Sequence, residues 1–252
     1  MQALSERLKR ATTALLHGNP PAPTPTPSAD SVTTCAQLLY GETAGAISIP
    51  VVPLALTQLE QKEASVEFAA ATVLDRVALA ALVRRQRPSR VFEIGTFRGV
   101  TAITMAANAP ADAIVYTLDL PPELTAADVA DRYSKTTSGF HRMAAAGVGR
   151  DVGRVLSSHT SGCRIEQLFG DSTTMNFEPF YGTIDLFFVD GCHDYEAALG
   201  DTRTAWRCLH SGGLLVWHDY PWTEVQAAIR AADLGVPVTF IRDTNLAFAS
   251  KR

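Results

Sequence analysis

Five short apolar runs, each carrying an acid at or near its end, constrain this chain more than any other feature. They are Val91 to Gly95 (VFEIG), Ile114 to Asp119 (IVYTLD), Ile165 to Asp171 (IEQLFGD), Ile184 to Asp190 (IDLFFVD) and Leu214 to Asp219 (LLVWHD). Segments with a three- to four-residue apolar period separate most of them, and strands alternating with helices build a parallel sheet with helices on its faces. DLFFV is apolar on both faces, as a strand between two helix layers must be. The close differs: VTFI and LAFAS are separated by too few residues for a helical crossover, so they are expected to pair as an antiparallel hairpin at one sheet edge. The expected fold is α/β, a doubly wound, seven-stranded, mostly parallel sheet with a reversed last strand.

The segment before this pattern reads differently. Residues 1–57 are expected to form an N-terminal helical arm with a Pro-rich linker: Leu4, Leu8, Leu15 and Leu16 fall near one stripe, and NPPAPTPTPSA then excludes regular structure. The arm reads either as a mobile tail or as a device that packs on a partner subunit or covers the site, and a homodimer through this region is the expected self-contact. Residues 58–252 form the main domain, with a helical pattern from Gln58 to Arg87 that Pro88 ends. A long connection at 124–159, holding Arg132, Tyr133, Phe140, His141 and Arg142, is the expected lid.

Charge and cysteine usage exclude several classes. The net charge is -4 with scattered basic residues, which gives no footprint for nucleic acid or an anionic membrane surface. Four cysteines without a CxxC pair form neither a disulfide framework nor a structural zinc site, so a reducing cytoplasm is expected. The N-terminus lacks an apolar core, and no window reaches the ~18 apolar residues of a membrane span.

In a doubly wound sheet, ligands collect beyond the carboxyl ends of the strands, near the point where strand order reverses. Glu93, Asp119, Asp171, Asp190 and Asp219 would line that rim. Gly95 and Gly99 would let the backbone approach a ligand, and a helix opening near Gly99 would offer free N–H groups to a carboxylate or phosphate. Asp119 also stands at the distance of a ribose-binding acid in a dinucleotide site, although the full GxGxxG spacing is missing.

The motifs FEIGTFRG, YTLD, FGDS, FVDGCHDY and GGLLVWHDY occur in order between about Pro88 and Ser250. In this they resemble the class I S-adenosylmethionine-dependent methyltransferases. Within that class the chain is most similar to the metal-dependent small-molecule O-methyltransferases, of the catechol and macrocin O-methyltransferase plan. The resemblance implies a Rossmann-like methyltransferase fold and S-adenosylmethionine as cofactor. Glu93, Gly95, Thr96 and Gly99 would lie at its methionine part, with Thr101 at the carboxylate. Asp119 would hold the ribose hydroxyls, Asp171 and Ser172 would flank adenine, and Asp190 would stand at the reacting end.

The same resemblance implies a divalent ion, Mg or Mn, on Asp190, His218 and Asp219. The family's usual closing pair is Asp-Asp or Asp-Asn, so His218 departs from it and also reads as a hydrogen-bonding residue. An imidazole shifts preference from Mg toward Mn, Fe or Zn. His193, three positions past Asp190, is the candidate catalytic base beside Asp190, with Asp194 in reserve; a helix-capping His193 is the competing reading. Cys192 with His193 and His218 offers a zinc alternative, against which stands the difficulty of aiming adjacent side chains at one ion. Tyr195, Tyr220 and Trp222 either stack on a substrate ring or pack. The implied partner is a small hydroxylated molecule, a secondary metabolite. Rival functions are a hydroxylase-like or other non-methylating enzyme on the same fold, an NAD-binding oxidoreductase and a non-catalytic binding subunit.

Overall fold

The structure, a computed structural model, describes residues 31–34, 38, 71–124, 152–158 and 163–252. The expected arm apart from 31–34 and 38, residues 58–70 of the expected helix and 125–151 of the long connection lie outside them. Strands are β1 (Ser31–Thr34), β2 (Arg90–Ile94), β3 (Ile114–Asp119), β4 (Arg164–Phe169), β5 (Ile184–Val189), β6 (Leu209–Trp217), β7 (Thr239–Arg242) and β8 (Ala247–Ser250). The α-helices are α1 (Val73–Gln86), α2 (Val100–Asn108), α3 (Tyr195–Cys208) and α4 (Thr223–Ala232). No helix among the described residues is long and apolar enough to cross a membrane.

All strands join one sheet in the order β1-β7-β8-β6-β5-β2-β3-β4. Every neighbouring pair is parallel except the two made by β8, which runs antiparallel to both β6 and β7. The α/β, mostly parallel sheet with a reversed last strand is therefore as expected, with two corrections. The described residues form eight strands, because Ser31–Thr34 pairs with β7. The closing hairpin is also not the sheet edge: β8 sits inside, and β1 covers β7, with the Ser31 and Thr239 hydroxyls 2.6 Å apart. SVTT is too short and polar to announce itself, and its partner lies more than two hundred residues along the chain.

Period-two alternation divides the core. Val91, Val115, Leu186, Phe188, Leu214 and Val216 face α1 and α2, whose Leu79, Leu82, Met105 and Ala106 fill that layer. Phe92, Leu118, Phe187, Leu215 and Trp217 face the other side, where Ala205, Val225 and Ile229 of α3 and α4 close over them. Burial on both faces explains the unbroken apolar runs. α1 begins with a capping box: the Thr72 hydroxyl accepts from the Asp75 amide, and Asp75 accepts from the Thr72 amide. Val73, which the helical period places on the apolar stripe, is instead 66 % exposed.

The order of strands reverses between β2 and β5, and the turns that leave them touch. Gly95 (φ 98) has no room for a side chain: a Cβ there would stand 2.0 Å from the Asp190 carbonyl oxygen. At Gly99 (φ 91) a Cβ would meet Leu156 Cδ2 at 2.6 Å. The space on the Cβ side of both glycines is thus occupied by the chain itself. We expect Gly95→Ala to displace the Asp190 turn and to cost at least about 2 kcal/mol, since backbone must move and a left-handed φ is imposed on an L side chain. Urea unfolding measures this, and a midpoint equal to wild type would show that the turns do not press together.

Candidate functional site

Sheet register brings the acidic rim together. Ile94 pairs with Leu118 and Val189, and Val189 with Trp217, so the residues that follow β2, β3, β5 and β6 emerge side by side. Asp190 influences both Glu93 and Asp119 electrostatically. It also lies 3.2 Å from His218, which contacts Asp219 at 2.9 Å. Four of the five expected acids therefore share one electrostatic neighbourhood. The fifth, Asp171, sits after β4, where it accepts from the Thr173 amide at 2.9 Å. Its charged neighbour there is Asp201, a residue of α3 absent from the sequence-derived set.

Glu93, Thr96 and Thr101 face inward. Glu93 is fully buried; its Oε2 accepts from the Thr117 hydroxyl, and Oε1 has no hydrogen-bond partner. Burial pushes the carboxyl up to about 8, while the Thr101 and Thr117 hydroxyls pull it down and Asp190 and Asp119 raise it. Thr96 Oγ1 lies 2.7 Å from Thr117 Oγ1, extending the buried chain. Thr117, which completes this chain, carries no local signal in the sequence. At the next turn Asp119 accepts from the Phe97 and Leu120 amides, each at 2.7 Å. Burial raises it, and these two amides oppose the rise. The loop from Gly95 is thereby tied to the end of β3, and Phe97 takes a positive φ of 45° to reach it. Gly99 caps α2 without a side-chain hydrogen bond, so the opening turn of that helix presents backbone N–H groups beside the rim.

Around Asp190 the charges alternate. His193 Nε2 stands 2.6 Å from Asp219 Oδ2 and 3.8 Å from Asp190 Oδ1. Burial works to lower its pKa, but the two carboxylates outweigh it and push it up to about 9. His218 is held well above its ordinary value in the same way, against burial, by Asp190, Asp219 and Asp75. Asp219 is pulled far below its usual range, with burial opposing and both imidazoles prevailing. It adopts a positive φ of 50°, strain that a non-glycine residue carries only where its surroundings impose it.

The ligating atoms of Asp190, His193 and Asp219 all lie within 4.8 Å of one another, close enough to face one ion. Two carboxylates and one imidazole suit a hard to borderline divalent cation such as Mg²⁺ or Mn²⁺. This trio differs from the expected Asp190, His218 and Asp219. His218 is 5 % exposed and stands behind the acids, with Nδ1 toward Asp190 and Asp219 and Nε2 toward Asp75. Asp75 too was missing from the sequence-derived candidates.

Asp194 occupies the N-cap of α3 without a side-chain capping bond, and Cys192 Sγ donates to its Oδ2 at 3.4 Å. The Cys192 thiol is pushed up to about 12, chiefly by burial, and lies outside the trio. Tyr220 is buried and stacks on Phe240, while the Trp222 ring lies 5.2 Å from His193 and walls the trio.

Residues 92–220, just over half of the chain, match the model of a family described as a methyltransferase domain. The chain belongs to this methyltransferase family. Among curated proteins no sequence matches this methyltransferase. Among solved structures it is similar to the O-methyltransferase TomG of Streptomyces achromogenes, involved in tomaymycin synthesis and solved in complex with S-adenosylmethionine. Identity there is 20 %, over 80 % of this chain and 91 % of that one, with a TM-score of 0.48. It is also similar to an O-methyltransferase of Bacillus cereus solved with S-adenosylhomocysteine, at 16 % identity over 86 % of this chain and 98 % of that one, TM-score 0.48.

The raised Glu93 carboxyl sets a pH dependence. An acid with a folded pKa of about 8, against 4.5 when unfolded, binds more protons in the native state across that interval, so its contribution to stability falls as pH rises through it. Glu93→Gln removes this titration. We expect its unfolding free energy, measured by urea denaturation without added ligand, to fall less steeply than wild type between pH 5 and pH 8; parallel slopes would place the native Glu93 carboxyl near its ordinary value.

Proposed function

We propose that the protein transfers a methyl group from S-adenosylmethionine to a hydroxyl oxygen of a small molecule, with help from a divalent cation. The observation that carries this reading is the gathering of Glu93, Asp119, Asp190 and Asp219 at the strand-reversal rim, within the span matched by the methyltransferase family. NAD-dependent hydride transfer receives no support from that match, and a non-methylating enzyme would fail to demethylate the donor.

In this reading Asp119 holds the ribose hydroxyls through the lone pairs its two amide donors leave open. Asp171 and Ser172 flank the adenine, and the amides opening α2 face the carboxylate of the methionine part, with Thr101 at their side. The loop from Gly95 to Gly99 and the buried Glu93–Thr117–Thr96 chain give that half its fixed shape.

Asp190 and Asp219 would hold the cation, with the His193 imidazole beside them kept for the proton. The cation supplies Lewis acidity, which lowers the pKa of a bound hydroxyl. His193 serves as base only in its neutral form. Its contact with Asp219 keeps a proton on it up to about 9, and any group that competes for the Asp219 oxygen releases that hold. The hydroxyl oxygen then attacks the methyl carbon in line with the C–S bond, which breaks to leave a neutral thioether, while the hydroxyl proton passes to the base. Alignment of the three atoms is the main service of the protein, since the sulfonium is already activated. Trp222 beside His193 supports an aromatic or otherwise flat acceptor, of the kind found among secondary metabolites.

Calorimetry tests the donor and the ion separately. S-adenosylmethionine is expected to bind one to one. Asp119→Ala should weaken it by roughly 10–100-fold, the worth of hydrogen bonds to a charged group. Asp219→Asn should leave donor affinity near wild type and abolish Mn²⁺ uptake. No heat with S-adenosylmethionine would overturn the donor assignment; unchanged turnover in excess chelator would overturn the ion.

A further inference from the structure

Asp75 lies on α1, outside the span matched by the family, and no step of the proposed reaction uses it. Its carboxylate is nevertheless as fully engaged as any in the described residues. Oδ1 accepts from the Asn245 amide at 2.7 Å. Oδ2 accepts from the Thr72 amide at 2.8 Å, the Thr72 hydroxyl at 2.7 Å and Asn245 Nδ2 at 3.2 Å. The capping box uses only the first of those Oδ2 contacts. The same Oδ2 faces His218 Nε2 at 3.4 Å, and both side chains are buried, at 1 % and 5 % exposure.

His218 is the link onward. Its Nδ1 reaches Asp219 at 2.9 Å and Asp190 at 3.2 Å, and Asp219 Oδ2 reaches His193 Nε2 at 2.6 Å. An imidazole that touches acceptors through one nitrogen alone can swing about its side-chain torsions. Anchoring the second nitrogen fixes the ring plane and, with it, the groups the first nitrogen holds. Phe188 meets the ring edge-on, with centroids 6.3 Å apart, so packing limits the ring from the side while Asp75 limits it along its length.

We propose that Asp75 is a positioning residue for the reacting rim: acting through His218, it fixes the orientation in which the Asp190 and Asp219 carboxylates converge with His193. The inference rests on the reading of that trio as the reacting centre. A carboxamide at position 75 has one oxygen for the donors of Thr72, Asn245 and His218, and it turns an N–H toward one of them. Asp75→Asn therefore takes the negative charge out of the His218 contact at nearly constant volume and weakens that link. Thr72→Ala removes the capping hydroxyl and leaves the Asp75–His218 contact in place, so it reports the structural role alone.

The test compares wild type, Asp75→Asn and Thr72→Ala by crystal structure, by calorimetric titration with Mn²⁺ alone and by titration with S-adenosylmethionine. In Asp75→Asn the His193–Asp219 separation should open beyond hydrogen-bond reach, about 3.5 Å. Mn²⁺ affinity should fall roughly 10–100-fold, as loss of an outer partner of a metal-holding group does, while S-adenosylmethionine affinity stays at the wild-type value. Thr72→Ala should lower the urea midpoint and leave both the rim and Mn²⁺ affinity unchanged. An Asp75→Asn structure with the trio in place, or a Thr72→Ala protein with the same displacement, overturns the proposal. Absence of Mn²⁺ uptake by wild type would remove the cation from the proposed function, and the rim geometry then decides the role of Asp75 by itself. Should Asp75→Asn fail to fold, Asp75→Glu keeps the capping box, which accepts glutamate at that position; its longer arm must displace His218, with the same readouts and the same overturning result.

Discussion

Two carboxylates at one half-buried rim repel each other unless positive charge stands between them, and in this protein two imidazoles supply it. Asp190 and Asp219 face His193 on the open side and His218 on the closed side. Burial by itself would strip each imidazole of its proton; facing carboxylates, both keep it, and Asp219 stays ionised because it faces both imidazoles. The positive φ of Asp219 and the contact of Gly95 with the Asp190 backbone are the local strains that this balance sustains.

That balance divides the labour between the two halves of the sheet. On the β2–β3 side, Glu93 accepts from the Thr117 hydroxyl and Asp119 from two backbone amides, producing a rigid wall. On the β5–β6 side, Asp190, Asp219, His193 and His218 form a polar floor. The strand reversal between β2 and β5 puts the two environments in contact, so a bound nucleoside and an acceptor oxygen would meet at the seam.

The strand ends were legible because their signals are local. An apolar run, an acid and a turn can be read within seven residues, and the register of a parallel sheet then assembles Asp119, Asp190 and Asp219 without further instruction. What escaped depends on distance along the chain. The Thr72–Asp75 capping box marks a helix start in the sequence, but nothing near it tells of His218, 143 residues away. His218 and Asp219 are adjacent and look equivalent; only the backbone turn decides that one faces the trio and the other supports it from behind. The two glycines were legible, but not that neighbouring chain crowds the side where a Cβ would stand.

The placement of β8 between β6 and β7 governs the order of assembly. β7 precedes β8 in the chain, yet it reaches the rest of the sheet only through β8, and β1 reaches it only through β7. During synthesis β1 must therefore wait for β7, and the two join the rest of the sheet only when β8 arrives. Sheet closure on that flank is a late, long-range event, slow in proportion to the loop it must close. Until then the outward edge of β6 is open to strands of other molecules, which makes the final four-residue strand the guardian of this protein against self-association while it is being made.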